Sequence, residues 1–597
     1  MRATAEAGNN FGTWVCPLAI PDHEEGPPTK KAKIDTTCYA LILPRETWAS
    51  VLVWLGGVDA CRVAVVWKQW AHVLDEPWIW SSFFQSTVGS CRCLTPKKPE
   101  KHPKEYYKQM VTCESGRVVR WLPQECTADT VGHREGSPGL FLAGDLSGPG
   151  EAFVCCFGGW GFGPQDDLHM LKVSDLRTVF EGEGTGDGQN LNFKEIHVPG
   201  PRAPDVAYGQ SITPLFDEWG EDGPETFVDD EIAPAGTTLV IIAGGHRAGG
   251  YRYETRSWAI LAIDTEDPNR PKAKWVLPAA SCKGAEVSRP TARAWHQAAY
   301  VPARFCGEAH PRGCVVAFGG NVSAQATSSV DVLDLATWQW TPGACIAGRE
   351  PQPRNCGAVG LVQLSATEAR IVFGPGGAGS DVPRGGLDCC TAAVLDPRKM
   401  AWVGEVSTAG PAHSSPHAPQ PQRQPFLGRA ACAFTVGDRL FSYGGGRMPQ
   451  SHLCTISLSE TVAKAAAGRG PARVLPRFMS ALPRELSEQV LEGLDAPRVE
   501  CRVAKCEKKD SRSQMSQPLP RSFGGAVSLV PVGLPGCLIY GGWHPHMGTF
   551  GDWWVGRCDG QTWPGEPPAG SGANSPGSEE EEEQEEEEEP ETESDDE

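Results

Sequence analysis

Six times between residues 150 and 545 a short apolar run ends in a glycine pair. The runs are FVCCFGG to Gly159, LVIIAGG to Gly245, CVVAFGG to Gly320, RIVFGPGG to Gly377, RLFSYGGG to Gly446 and CLIYGG to Gly542. Each is short and bounded by glycine, so each reads as a buried strand. A second apolar run often follows, as in Val330-Asp331-Val332-Leu333-Asp334-Leu335. Next comes a tryptophan: Trp275, Trp338 or Trp340, Trp402 and Trp563. Phe193 takes that place in the first unit, and the fifth has no clear aromatic. Upstream of several pairs an arginine leads a run of small residues: Arg293 in RAWHQAAYV, Arg354 in RNCGAVGLV, Arg429 in RAACAFTV and Arg521 in RSFGGAVSLV.

Arginine strand, glycine-pair strand, third strand and tryptophan strand make four per unit. Four-stranded sheets repeated radially give a β-propeller. The pattern resembles the kelch repeat over roughly residues 110 to 565, which implies an all-β propeller of six blades across 111–566. Unit lengths exceed the ~50 residues expected of kelch, so loops carry insertions. Two of these are the acidic 216–236 and the Pro-, His- and Gln-rich 408–427. Residues 110–150 either hide a seventh blade or, through Arg120-Trp121, supply a strand that closes the ring.

A different pattern precedes the repeats. Leu43-Pro44-Arg45-Glu46 opens a stretch with Trp48, Val51, Leu52 and Leu55 at helical spacing, a Gly56-Gly57 break, Asp59 as a helix cap, then Val63, Val66, Trp70 and Trp80. Pro44 suits a first helical turn, where its missing N–H costs nothing. Three short helices bury little alone, so the unit wants a partner. The stretch resembles the F-box, the helical module that docks a substrate receptor onto the Skp adaptor of a cullin–RING ubiquitin ligase. Thr47, Ala60 and Trp67 depart from its pattern.

The expected architecture is therefore mixed: a small all-α module at 41–85, a linker at 86–110 and the propeller. Residues 1–40 and the acidic end at 567–597 read as disordered. Within the propeller a helical insertion is expected at about 478–513. It contains Leu482-Pro483-Arg484-Glu485 and Cys501-Arg502-Val503-Ala504, which align with the first module but lack its tryptophans. It reads as a decoration or as a degenerate second copy.

The formal charge of −20 lies mostly at the end of the chain: fifteen acids and no base from Glu579 to Glu597 leave −20 + 15 = −5 for the rest. Such a body has no basic face for nucleic acid. No signal-peptide core and no run of about 18 apolar residues appears, so no membrane partner is expected. The 22 cysteines then read as mostly free thiols, many acting as small hydrophobes in strands. Cys91 and Cys93 match no standard zinc spacing. Pro27-Pro28-Thr29-Lys30-Lys31-Ala32-Lys33 resembles a nuclear import signal, which points to nucleus or cytoplasm. No phosphate loop, metalloprotease helix or nucleophile elbow is present. No catalytic, cofactor-binding or metal-binding residue is expected, and a copper-oxidase reading lacks a ligand set.

The resemblance extends to plant proteins that join a LOV light sensor to an F-box and kelch repeats, here without the LOV part. It implies a substrate receptor that bridges the Skp adaptor, and through it cullin, to a protein of unknown identity. On that reading the adaptor meets Leu43, Pro44, Trp48, Val51, Leu55, Val63, Val66 and Trp70. The substrate meets residues just after the glycine pairs: Trp160, His246, Asn321, Arg447, Trp543 and His544. The alternative is a non-ligase kelch scaffold that organises a nuclear or cytoskeletal complex.

Overall fold

A computed structural model describes residues 118–559 apart from 125–130, 183–190, 216–236, 248–253, 277–287, 378–387, 409–429, 447–452, 469–501, 507–516 and a few shorter breaks. The expected F-box, its adaptor-facing residues and Arg447 lie outside the described residues.

Six blades of four antiparallel strands follow one another along the chain, the last with a short fifth strand added at its edge. Blade 1 comprises Gly139–Gly144, Ala152–Phe157, Leu168–Lys172 and Lys194–Ile196. Blade 2 comprises Ser211–Leu215, Thr238–Ala243, Trp258–Asp264 and Lys272–Val276. Blade 3 is Gln297–Val301, Cys314–Phe318, Val330–Asp334 and Gln339–Thr341. Blade 4 is Val359–Gln363, Ala369–Phe373, Thr391–Asp396 and Ala401–Ser407. Blade 5 runs Cys432–Val436, Arg439–Tyr443, Leu453–Ser457 and Arg502–Val503. Blade 6 takes Gly525–Ser528, Gly536–Tyr540 and Trp553–Arg557 from the end of the ring. Its fourth strand is Val118–Gln124, with Trp121 opposite Gly556. The ring thus closes on Arg120-Trp121 rather than on a seventh blade. Trp121 also fills the aromatic place expected of Trp563, which lies beyond the described residues.

Each glycine-pair run forms a second strand, and these are wholly buried in blades 1, 2, 3 and 6. Near-continuous apolar runs arise because both faces are covered. The core is divided among the six seams between neighbouring blades. Side chains alternate across a strand, so Phe153, Cys155 and Phe157 enter the core shared with blade 2. Val154 and Cys156 enter the one shared with blade 6. Fourth-strand aromatics reach back to an aromatic of the preceding blade. Trp275 lies 5.8 Å from Phe157, Trp402 5.0 Å from Phe318, and Trp121 5.5 Å from Tyr443.

Two helices cover seams at the end of the ring away from the glycine pairs. Val173–Glu181 follows the third strand of blade 1, and its Phe180 carbonyl accepts from Arg557 Nη1 at 3.1 Å on blade 6. Leu458–Ala467 follows the third strand of blade 5 and buries Leu458, Val462 and Ala465 in the core shared with blade 4. Ser457 caps this second helix by accepting from the Glu460 amide. Within the span expected to be a helical insertion, Arg502–Val503 and Lys505–Cys506 are strands, the latter parallel to Val118-Val119. Arg502–Val503 therefore belongs to the sheet of blade 5 and Lys505–Cys506 to that of blade 6. Leu482-Pro483-Arg484-Glu485 lies outside the described residues.

Candidate functional site: the glycine end of the channel

The glycine pairs and the arginines belong to one device. The first glycine takes φ of 68° at Gly244, 71° at Gly319, 71° at Gly444 and 62° at Gly541. A Cβ there would lie within 2.1–2.5 Å of the carbonyl oxygen of Arg293, Arg354, Arg521 or Arg134 on the next blade. Only glycine meets both demands. The second glycine then donates to that same carbonyl, as Gly245 does to Arg293 at 2.8 Å and Gly542 to Arg134 at 2.7 Å.

The arginine side chain turns back into its own blade. Arg293 donates to the carbonyls of Gly319 and Ser329 at 3.0 and 3.1 Å and to Asp331 at 2.7 Å. Arg521 binds Gly541 O at 2.9 Å and both carboxylate oxygens of Asp552 at 2.7 and 2.8 Å. Arg134 likewise reaches Gly158 O and Asp167, and Arg354 reaches Thr391 O and Glu405. Burial works to raise Asp167 and Asp552. The hydrogen bonds and charges of His169 with Arg134, and of Arg521, outweigh it and hold both carboxyls below the usual range.

Among the described residues, blade 2 departs from this device. In blade 2 the place of the arginine is Ala207. In blade 5, Ala430 occupies the position of Trp295, and Arg429, which the sequence aligned with the others, lies outside the described residues.

Two residues past each arginine place the chain bends with positive φ at Gly136, Gly209, Trp295, Cys356, Ala430 and Phe523. Backbone hydrogen bonds link these residues around the opening: Gly209 N to Gly136 O at 3.1 Å, Trp295 to Gly209 at 2.8, Cys356 to Trp295 at 2.8, Ala430 to Cys356 at 2.6 and Phe523 to Ala430 at 2.6. Trp295 and Phe523 come from blades three apart in a ring of six, and their rings meet at 5.1 Å. The indole lies where a Cβ on Gly209 would be only 2.8 Å away. The channel is thus closed at this level by two aromatic rings. Tyr208 sits 5.7 Å from Trp295 and 4.8 Å from Trp160.

Four of the six sequence-predicted residues after the glycine pairs bridge to the residue after the arginine place: Trp160 with Glu135, His246 with Tyr208, Asn321 with Ala294 and Trp543 with Ser522. The ring therefore brings them to one end. Trp160, Trp543 and His544 are half-buried. His246 and Asn321 are buried. His246 packs 5.6 Å from Tyr208, and burial lowers its pKa while the charge of Glu254 opposes. Asn321 accepts from Asn355 Nδ2 at 2.6 Å. The His544 ring lies 5.7 Å from that of His546, tilted against it.

Sequence reasoning missed Tyr208, Trp295, Asn355, Cys356, Phe523 and Glu135. The signal available was an offset, one or two residues past the arginine, not a residue type. It also missed Phe162, fully exposed at the tip of the Trp160 loop, and Met547, exposed on the neighbouring loop of blade 6. Burial raises the Glu135 carboxyl, with the Thr549 hydroxyl bond opposing. Aromatic faces, amides and a few charges suit non-covalent recognition. Among the described residues no three His, Cys, Asp or Glu side chains are grouped to hold a metal ion. No helix among them is long and apolar enough to cross a membrane.

Residues 305–345, which hold the second, third and fourth strands of blade 3 with its glycine pair and Trp338-Gln339-Trp340, match the kelch motif. No curated protein matches the chain. The motif and the six blades together make the ring a kelch-repeat propeller, a fold suited to protein–protein interaction.

Proposed function

We propose that the chain is the substrate-recognition subunit of a Skp–cullin–F-box ubiquitin ligase, with the propeller holding the protein to be modified. The observation that carries the recognition half is topological. The third strand of blade 6 ends at Arg557 and its fourth begins at Val118, both at the end of the ring away from the glycine pairs. The described chain therefore enters the propeller at Val118 and leaves it at Asp559 at that far end, where the two seam-covering helices also lie. The channel mouth, with Trp160, Phe162, Tyr208, Trp543 and Met547, lies at the opposite end. Because Trp295 and Phe523 close the channel, the partner rests on the mouth rather than threading it.

The ligase half rests on the F-box resemblance of Leu43 to Trp80. Leu43, Pro44, Trp48, Val51, Leu55, Val63, Val66 and Trp70 are the residues proposed to meet the Skp adaptor. Catalysis is then by proximity: an acceptor lysine is held near a charged conjugating enzyme, and this chain supplies no nucleophile, acid or base. The basic segment at Pro27 to Lys33 supports a place in nucleus and cytoplasm. Thr47, Ala60 and Trp67 favour a second reading, a kelch scaffold without ligase activity.

The two readings separate in cells treated with a proteasome inhibitor. On the first, proteins captured through the propeller accumulate as ubiquitin conjugates with the intact chain and not with a Leu43→Ala/Pro44→Ala variant. Captured partners unchanged in amount and modification between the two chains would establish the scaffold.

A further inference from the structure

Blade 3 holds two thiols in contact. Cys306 ends the single helical turn Ala303–Cys306 that leads from the first strand to the second, and Cys314 opens the second strand. Their Sγ atoms are 3.6 Å apart. Val301, whose carbonyl oxygen lies 3.5 Å from Cys306 Sγ, is the ladder partner of Cys314. Both sulfurs thus lie over the same end of one strand pair. A disulfide has an S–S distance of about 2.05 Å, so joining them asks for an approach of roughly 1.5 Å, within reach of side-chain rotation. Adjacent Cys155 and Cys156 differ, because they enter opposite seams.

We propose that Cys306 and Cys314 form an oxidation site that reacts with hydroperoxides and closes the 307–313 loop with a disulfide. The Cys306 thiolate attacks one peroxide oxygen and the O–O bond breaks, giving a sulfenic acid and, once protonated, water. The Cys314 sulfur then attacks the sulfenic sulfur, the S–O bond breaks, and hydroxide leaves as water with the proton of the thiol. Two thiols and one hydrogen peroxide become one disulfide and two waters. The sulfurs together lose two electrons and the peroxide gains them.

The order follows from the chain. Cys314 is held in a ladder between two strands. Its thiol is pushed well above the usual range by the Cys306 hydrogen bond and then by burial, which suits the resolving partner. Cys306 belongs to one helical turn without a side-chain cap, followed by exposed Glu308 and Ala309. Phe305 and Cys306 are buried in the core shared with blade 4, so exposing the thiol requires this turn to unfold locally. Cys306 is itself buried, so reaction waits on that opening. It is slower than at exposed Cys345 and faster than at Cys155, which is locked in the middle of a strand.

The test uses the reduced full chain, graded hydrogen peroxide, alkylation of remaining thiols and mass spectrometry. The expected product is a Cys306–Cys314 linked peptide lighter by two hydrogens, appearing after Cys345 is consumed and before Cys155 changes. The oxidised chain melts at a higher temperature than the reduced one. A Cys314→Ser chain gives Cys306 oxidised without a link and without that rise. The inference is overturned if both thiols still alkylate at a dose that modifies Cys155, or if the link forms only in denaturant.

Discussion

Blades 2 and 3 stand side by side on the same four-stranded ladder, yet they secure the channel end of the first strand by opposite means. In blade 3, Arg293 and Asp331 are 1% and 0% exposed and satisfy the carbonyls of Gly319 and Ser329. In blade 2, Ala207 fills the arginine place and the ion pair is displaced to the surface. There Asp205 accepts from Thr255 Oγ1 and from Arg247, whose side chains are 37% and 56% exposed for Asp205 and Arg247. Burial works to raise Asp205, but those bonds hold it below the usual range. The backbone pairing is the same in both: Tyr208 with His246, Ala294 with Asn321. The arginine is therefore not needed to shape the turn. It satisfies buried carbonyls, and a blade that dispenses with it leaves its charges at the rim, where a partner can use them.

The largest expected effect breaks the blade 3 arrangement. Arg293→Ala leaves Asp331 buried without its guanidinium, and the expected loss is about 3–5 kcal/mol in denaturant unfolding. Arg293→Met with Asp331→Leu removes both charges and is expected to lose far less. If the double variant is as unstable as the single one, the carbonyl bonds matter more than the charge pair.

A smaller effect is expected at blade 6. Asp552 is 37% exposed, so after Arg521→Ala it can turn to water, and the loss is about 2 kcal/mol.

Acid sharpens the contrast further. Burial, and then the charge of Arg293, lower His296 to about 3. The unfolded chain takes up that proton below about 6.5. Between those values the unfolded state binds more protons, so stability falls as pH falls from about 6.5 toward 3, by up to ~1.4 kcal/mol per pH unit. His296→Gln places in blade 3 the residue that blade 2 carries as Gln210. Thermal melts across this range should lose that part of the slope. His246 acts in the same direction but is opposed by Glu254.

The smallest effect is at the exposed pair. Arg247→Ala is expected to change stability by less than about 1 kcal/mol while weakening capture of a partner at the mouth. Equal loss at Arg247 and Arg293 would contradict the comparison.

The blades were legible because glycine pairs and strand-four tryptophans mark positions where geometry leaves no choice. Gly319 has both a positive φ and a neighbouring carbonyl where its Cβ would be. Where a tertiary contact substitutes for a residue type, the pattern failed. Trp121 takes the aromatic place in blade 6 because the ring closes with Val118–Gln124, a strand far in sequence from the other three of that blade. The mouth was legible only in part. Trp160 and Trp543 follow glycine pairs, whereas Trp295 and Phe523 are found only by their offset from arginines 293 and 521. Helix Val173–Glu181 lacked a local signal, since Lys172 gives it no side-chain cap. It is held instead by burial of Val173, Leu176, Val179 and Phe180 in the seam with blade 6.

The most direct test of the central claim is co-purification of the full chain with the Skp adaptor and cullin, beside the Leu43→Ala/Pro44→Ala variant. The account predicts that the intact chain retains both proteins, and that the variant loses both while its propeller gives an unchanged circular dichroism spectrum. An intact chain that retains neither would contradict the ligase reading and leave the propeller as a scaffold.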